Sequence, residues 1–370
     1  MNILAINWRC IKNPEKGGAE VHFQEIFKRI AKKGHKVTLI VHKFKNAPEK
    51  EIIDGIEIIR IGNKYLFDKQ FKSFYKNFDR KNEYDLVVDD ISKIPLFTPV
   101  YIKKPLVGIL HHIHGNSLYD EISFPLAYYI VSQEKKIPKV YHNTPIFTVS
   151  ESTKNELIEL GQPENKVDIL FNAIDHELFK KSDVNKSETP LITYVGRLKK
   201  YKNIQLVIDA VNIVKERIPE IKLQIAGTGD YENTLKEYVN KKGLQNFVEF
   251  LGYVTEEEKA KILGRAWLFV SMSSKEGWGI TVTEANAMGT PAIGSDVPGL
   301  RDSIKNGETG ILTPQGNVTI LAREIVEFLS DKEKLKELSR AAQEWSKKFN
   351  WDVSAEHFLR KVKEWYPQLN

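Results

Sequence analysis

The sequence predicts an α/β chain built as two doubly wound halves, each a parallel sheet lined by helices. Three observations carry that expectation. Short apolar runs recur without polar alternation, as strands covered on both faces require. Helical stripes fall between them. The same alternation then runs a second time within 370 residues, a length that exceeds one ordinary core.

In chain order the first half offers NILAIN (2–7), KVTLIVH (36–42), IEIIRI (56–61), DLVVDD (85–90), PLVGILHH (105–112) and PIFTVS (145–150) as strands. Between the first two, Ala19, Phe23, Ile26, Phe27 and Ile30 share one helical stripe, and Gly34 stops it. The second half repeats the scheme with KVDILFN (166–172), LITYVGRL (191–198), KLQIAGTG (222–229), VEFLGYV (248–254), WLFVSMS (267–273), PAIGSD (291–296) and GILTP (310–314). Alternation on this scale implies parallel sheets with right-handed crossovers. The polar stretch 175–190 reads as the connection, and WDVSAEHFLRKVKEWYPQL as a last amphipathic helix.

Composition narrows the class. With 41% hydrophobic and 28% charged residues and no low-complexity tract, the chain is folded rather than disordered. The single cysteine, Cys10, cannot make an internal disulfide and fits a reducing compartment. MNILAIN enters a strand-like run without a secretory leader, and no window approaches the roughly 20 apolar residues of a membrane span. A cytoplasmic protein is expected, soluble or peripheral at the inner membrane face. The net charge of +6 sits mainly in residues 1–171, which hold 26 Lys+Arg against 21 Asp+Glu. There KYLFDKQFKSFYKNFDRK (64–81) interleaves six basic residues with six aromatics. Such a segment suits an anionic bilayer, nucleic acid or an acidic substrate, or else is a solvated helix face packed by its rings. SFPLAYYIVSQEKKIPK (123–139) also mixes apolar residues with lysines.

In doubly wound sheets ligands sit beyond the C-terminal strand ends, so those residues carry the chemistry. After the first strand, Gly17-Gly18 directly precedes a helix, whose free N–H groups suit an anion; an ordinary glycine turn is the plain alternative. This is not the dinucleotide fingerprint. Nor is AGTGDYE, where Gly227 and Gly229 match but the third position is Glu232, which disfavours a nicotinamide dehydrogenase. In VGRLKKYKN, Arg197 and Lys202 follow a strand end and could converge on a diphosphate, one as a planar fork and one as a mobile charge. LHHIHG brings His111, His112 and His114 together, but adjacent side chains of an extended segment point opposite ways and no acidic set completes a metal site. A hydrogen-bonding role or a satisfied core histidine fits better. Asp89 and Asp90 raise the rival of a cation-dependent nucleotide-sugar site; strand-end acids are the simpler reading.

The densest signal is EGWGITVTEANAMGTPAIGSD (276–296). Glu276 follows a strand, Gly277 and Gly279 bare the backbone N–H groups around Trp278, and a helix beginning near Ile280 aims its positive end at a diphosphate. Glu284, about one turn in, can accept from a vicinal diol such as a ribose.

These pieces, from GGAE through LHH, LFNAIDHELF, VGRLKKYKN, IAGTGDYE and EFLGYV to EGWGITVTEANAMGTPAIGSDVPGLRDSI, resemble a family 4 glycosyltransferase of the GT-B architecture. The resemblance implies two Rossmann-like domains facing a central cleft: 1–170 for the acceptor, completed by a returning helix 352–370, and 171–351 for the nucleotide-sugar donor. By that likeness Glu276 and the N–H groups of Gly277, Trp278 and Gly279 would hold the donor sugar, Glu284 the ribose, and Arg197 with Lys202 the diphosphate. Gly17-Gly18 would meet the phosphates, His111 the sugar near its reacting carbon, and Gly252-Tyr253-Val254 the base. His112, Asn172, Gly227 and Ile280 fall in the same motifs. The family retains anomeric configuration and needs no metal or other cofactor. Asn203 and Ala173 stand where glycine is usual, and Trp278 where phenylalanine is common, departures that bear on which sugar fits.

The expected activity is therefore transfer of a hexose-type sugar from a nucleotide-diphosphate sugar to an acceptor hydroxyl, on a glycan or a lipid-linked molecule. Fixed cations and helix ends would stabilise the departing diphosphate, each donor contributing on the order of a few kcal/mol. Two other classes stay open. A nucleotide-sugar epimerase of GT-B fold would act without an acceptor, and a nucleotide- or nucleic-acid-binding protein would use the basic first half with strong salt dependence. No nucleic-acid partner is expected under the leading reading.

Overall fold

The computed structural model describes residues 1–79, 83–180 and 184–369. The chain divides into two compact units, Met1–Ala173 with Trp351 onward, and Ile174–Asn350.

The first unit is built on strands β1 (Asn2–Ile6), β2 (Lys36–His42), β3 (Lys50–Ile53), β4 (Ile56–Ile61), β5 (Leu86–Ile91), β6 (Leu106–Leu110), β7 (Ile146–Thr148) and β8 (Val167–Ile169). Their order is β3-β4-β2-β1-β5-β6-β7-β8, with only the β3–β4 pair antiparallel. That hairpin escaped the sequence reading, although Asp54-Gly55 marks it: both residues have positive φ (50° and 82°), as two-residue hairpin turns demand. A second correction concerns KVDILFN. Its place in chain order groups it with the second half, but β8 pairs with β7 and closes the first sheet. A short apolar strand carries no mark of which sheet it will join.

Helix Gly18–Lys32 buries Phe23, Ile26, Phe27 and Ile30, the stripe expected from their spacing. The last long helix, Trp351–Trp365, lies on it. Phe358 meets Phe27 edge to face at 5.1 Å, and Arg29–Asp352 and Lys33–Glu356 pair along the rim. Two segments read as basic and aromatic now part company. In helix Phe67–Asp79 the rings of Phe67, Phe71 and Tyr75 are buried while Lys69, Lys72 and Lys76 face outward, so it is a solvated helix face over a core; Arg80 and Lys81 lie outside the described residues. Helix Phe124–Glu134 instead buries only Ala127, Ile130, Val131 and Glu134 and exposes Phe124, Leu126, Tyr128 and Tyr129.

The second unit is all parallel: β9 (Leu191–Val195), β10 (Lys222–Ala226), β11 (Val248–Gly252), β12 (Leu268–Ser271), β13 (Ala292–Ser295) and β14 (Gly310–Thr313), in the order β11-β10-β9-β12-β13-β14. Strand order reverses between β9 and β12, which opens a crevice beyond their C-terminal ends. The loops after those two strands carry Arg197 and Lys202 on one side and Glu276 on the other.

Candidate functional site

The β9 loop is held from beneath. Tyr194, buried, donates its hydroxyl to the Arg197 carbonyl at 3.0 Å. Burial, more than its charged neighbours, keeps that phenol well above its ordinary pKa, so it stays a donor. The chain then turns through Lys200–Lys202 and enters helix Ile204–Val214 at Asn203, whose φ is 51°. That left-handed position explains why asparagine replaces glycine here: after glycine it is the residue that best tolerates such a φ. Asn203 also donates from Nδ2 to the Met272 carbonyl at 3.1 Å, and Ser274 N–H donates to the Tyr201 carbonyl at 2.9 Å. The loops after β9 and β12 are thereby tied together.

At that junction Lys202 Nζ pairs with Glu276 Oε1, which also accepts from Ser273 Oγ at 2.7 Å. The two side chains are 14% and 18% exposed. Burial alone would lower the lysine, but the charge of Glu276, with smaller help from Tyr201 and Tyr194, lifts it above its ordinary value. An ammonium has three donors, and the bond to Glu276 takes one of them. Arg197 is exposed, and among the described residues no carboxylate pairs with its guanidinium.

Glycines set the approach of these loops. A Cβ at Gly227 (φ 125°) would fall 2.0 Å from the Gly196 carbonyl oxygen, so AGTG exists here for close contact between strand-end backbones. A Cβ at Gly299 (φ 82°) would fall 2.3 Å from the carbonyl oxygen of Glu276. Nothing in the sequence marks Ser273 as a site residue, and the signal for Gly299 is its place in the SDVPG run that follows the acidic motif.

Gly279, with φ 95°, starts helix Ile280–Ala287, and no side chain caps that end. Its N–H groups are thus oriented for an anion. Trp278 turns inward: its indole N–H donates to Thr283 Oγ1 at 2.9 Å and its ring meets Phe349 edge to face at 4.8 Å. The exchange of phenylalanine for tryptophan therefore bears on the packing of this loop. Glu284 is buried, and its Oε1 accepts from Lys259 Nζ at 2.7 Å. Burial raises the Glu284 carboxyl against the opposing pull of Lys259. Gly252 (φ 69°) ends β11, Tyr253 is 78% exposed, and Val254 packs against the core.

In the first unit Gly17, His111 and His112 are each met by a partner from the unit itself. Gly17 N–H donates to Glu20 Oε2 at 2.6 Å, so the start of helix Gly18–Lys32 carries an acid from its own first turn. His111 shares a 2.9 Å bond with Asp90 Oδ1, whose other oxygen accepts from Asn7 Nδ2 at 2.7 Å. Burial would lower His111, yet Asp90, by charge and hydrogen bond, and Glu20 raise it above its ordinary pKa. Neighbouring His22, edge to face at 5.1 Å and wholly buried, is pushed down to about 3 by that burial. His112 belongs elsewhere: it meets His114, which bonds Glu134 Oε1 at 2.7 Å. Asn172 is buried, and among the described residues its Oδ1 has no partner. Asp89 turns away from Asp90, accepting on Oδ2 from Thr98 and Tyr141, and burial pushes it up to about 6. The strand alternation separates the two aspartates. Among the described residues no cluster of acids, histidines or cysteines is placed to hold a metal ion.

Two doubly wound sheets, with cations, a glutamate and an open helix end gathered where one of them changes direction, are the architecture of a GT-B glycosyltransferase. Residues 175–345 match the family model for glycosyl transferases group 1, and residues 16–178 that for glycosyltransferase family 4. The chain belongs to the family 4 glycosyltransferases. It is 26% identical to an uncharacterized glycosyltransferase of Methanocaldococcus jannaschii over 98% of both chains. Sucrose-phosphate synthase of Thermosynechococcus elongatus superimposes with a TM-score of 0.83 at 19% identity, over the whole of both chains. Anabaena HepE, solved in complex with UDP-glucose, gives 0.78 at 19% identity over 98% of this chain and all of that one. The structural likenesses speak for the fold. No described helix is long and apolar enough to cross a membrane.

Proposed function

We propose that this glycosyltransferase takes a hexose from a nucleotide-diphosphate sugar and passes it to an acceptor hydroxyl with retention, without a metal ion. The observation that carries the reading is the Lys202–Glu276 pair beside the strand-order reversal, with the Arg197 guanidinium, which no carboxylate pairs among the described residues, in the same loop as Lys202. The UDP-glucose bound by the Anabaena neighbour supports the donor class.

The chemistry follows from these groups. The bond between the anomeric carbon and the diphosphate oxygen breaks, leaving negative charge on the oxygen and cationic character on the sugar. Arg197, Lys202 and the N–H groups at Gly279 and Ile280 stabilise the oxygen side, each donor by about 2–4 kcal/mol. Glu276, held by Ser273 and Lys202, accepts from sugar hydroxyls. The acceptor hydroxyl attacks on the face the diphosphate leaves, and its proton passes to that diphosphate. Glu284 takes the ribose diol. The roles proposed in the first unit are contact with the sugar for His111 and with the phosphates for Gly17 and Gly18. The exposed rings of Phe124, Tyr128 and Tyr129, followed by Lys135, Lys136 and Lys139, support an acceptor presented at an anionic bilayer.

The test is transfer from a panel of nucleotide sugars, with the anomeric configuration of the product read by NMR. Glu276→Ala and Arg197→Ala should each lose on the order of 100-fold or more in rate while keeping the wild-type circular dichroism. Activity should persist in excess chelator. Full turnover by either variant removes the mechanism, and a strict metal requirement revives a cation-dependent site. A new sugar nucleotide formed without acceptor would make the protein an epimerase. Sedimentation with phosphatidylglycerol vesicles should be lost when Phe124 and Tyr128 become serine; unchanged sedimentation sinks the bilayer contact.

A further inference from the structure

Glu284 is held in an unusual way. Lys259, fourth residue of helix Glu256–Arg265, reaches its Oε1 at 2.7 Å and also pairs with Glu256 at 2.7 Å. The lysine lies over the Phe179 ring, 5.2 Å from its centroid. Lys259 and Glu284 are 14% and 8% exposed, whereas Glu256, at 63%, is in solvent. The second carboxylate oxygen, Oε2, is buried and has no hydrogen-bond partner among the described residues. A buried acceptor left unpaired is costly, and native proteins seldom keep one without a use.

We propose that Lys259 is a positioning residue that holds Glu284 by Oε1 and so reserves Oε2 for a ribose hydroxyl of a nucleoside diphosphate. The inference rests on the ribose role given to Glu284 above. Its physical basis is division of labour on one carboxylate. The lysine's charge opposes the burial that raises the Glu284 carboxyl, and it occupies one oxygen only, because an ammonium is a point donor where a guanidinium fork would span both. Without it, Glu284 would be a buried anion lacking its cation, and it would protonate or rotate. In either case the acceptor waiting for the ribose is lost.

The experiment is calorimetric binding of UDP, GDP and ADP, each beside its 2′-deoxy form, to the full chain. For whichever base binds, the ribose form should bind on the order of tenfold tighter than the deoxy form, the weight of one hydrogen bond to a charged group. Lys259→Met should bring that ratio toward one while leaving the affinity for inorganic pyrophosphate unchanged, which a general loss of structure would not do. Glu284→Gln should also bring it toward one, and Lys259→Met added to Glu284→Gln should change the ratio no further, since the lysine acts through the glutamate. The double variant buries no unpaired charge and so keeps the test open if Lys259→Met alone unfolds. An additional loss in the double variant would overturn the proposal by making Lys259 a direct ligand. Retention of the full ratio by Lys259→Met, with loss by Glu284→Gln, would also overturn it and leave the Glu284 reading intact. If Glu284→Gln keeps the ratio, or no nucleotide binds, the ribose reading itself falls.

Discussion

Two glycine-led helix starts follow strands in this chain, and they are finished differently. At Gly17-Gly18 the first unit turns its own Glu20 back onto the Gly17 N–H. At Gly279 the second unit leaves the end of helix Ile280–Ala287 without a side-chain cap. The same contrast runs through the neighbouring side chains. His111 is bound to Asp90 and His114 to Glu134, whereas Arg197 has no carboxylate partner among the described residues and Glu284 keeps Oε2 unpaired. A group whose partners are internal is fixed in place, while a group with a spare donor or acceptor is ready for a ligand. Sequence motifs alone do not tell these two conditions apart.

The strongest way to break the contrast is Gly299→Ala. A Cβ there would lie 2.3 Å from the Glu276 carbonyl oxygen, and φ is 82°, so the loop that presents Glu276 must move. Misplacement of about 1 Å near reacting groups can cost about 100-fold in rate, and the strained backbone about 1–3 kcal/mol in stability. Initial rates and thermal melts would show both. Wild-type turnover would mean that the loop's position is unimportant.

Asp90→Asn tests the first unit. Because the folded-state pKa of His111 is raised, its contribution to stability is present below the unfolded value of about 6.5 and fades as pH climbs through the folded value. The variant should lose about 1.5–3 kcal/mol at pH 5 to 6, the weight of a hydrogen bond to a charged group, and less at pH 9. The His111 ring should titrate at lower pH by NMR. A ring that titrates unchanged would dismiss Asp90 as its partner.

The smallest effect sharpens the comparison of helix ends. Glu20→Gln keeps an acceptor on the Gly17 N–H but removes the negative charge there. If Gly17-Gly18 meets the donor phosphates, removing a repulsion of about 0.3–1 kcal/mol should tighten nucleotide binding by about two- to fivefold. Unchanged affinity would remove those glycines from the donor site.

Much of the molecule was legible in the residues. Unalternated apolar runs marked parallel strands, the Phe23–Phe27–Ile30 spacing marked the first helix, and Arg197, Lys202, Glu276 and Glu284 stood out because each follows a strand or opens a helix. Less legible were the features that depend on distant partners. Lys259 stands 25 residues from the carboxylate it holds, and Gly299 is required by the backbone of Glu276 across a tertiary contact. The strand Val167–Ile169 reads the same in either sheet until its neighbour is known. The aromatics of 67–78 and 124–129 looked alike as composition, and only packing turned one set inward and the other outward.

By itself the sequence determined the alternation of strands and helices, the places where anion-binding groups leave the strands, and the family. These are local properties, set by the period of side chains along a strand or helix and by the chemistry of a few adjacent residues. The tertiary structure alone decided which oxygen of Glu284 is taken, which helix end is already met by an acid, and that Lys202 rests against Glu276. Such facts depend on what lies across a gap of a few ångströms between segments far apart in the chain, and no local pattern records it.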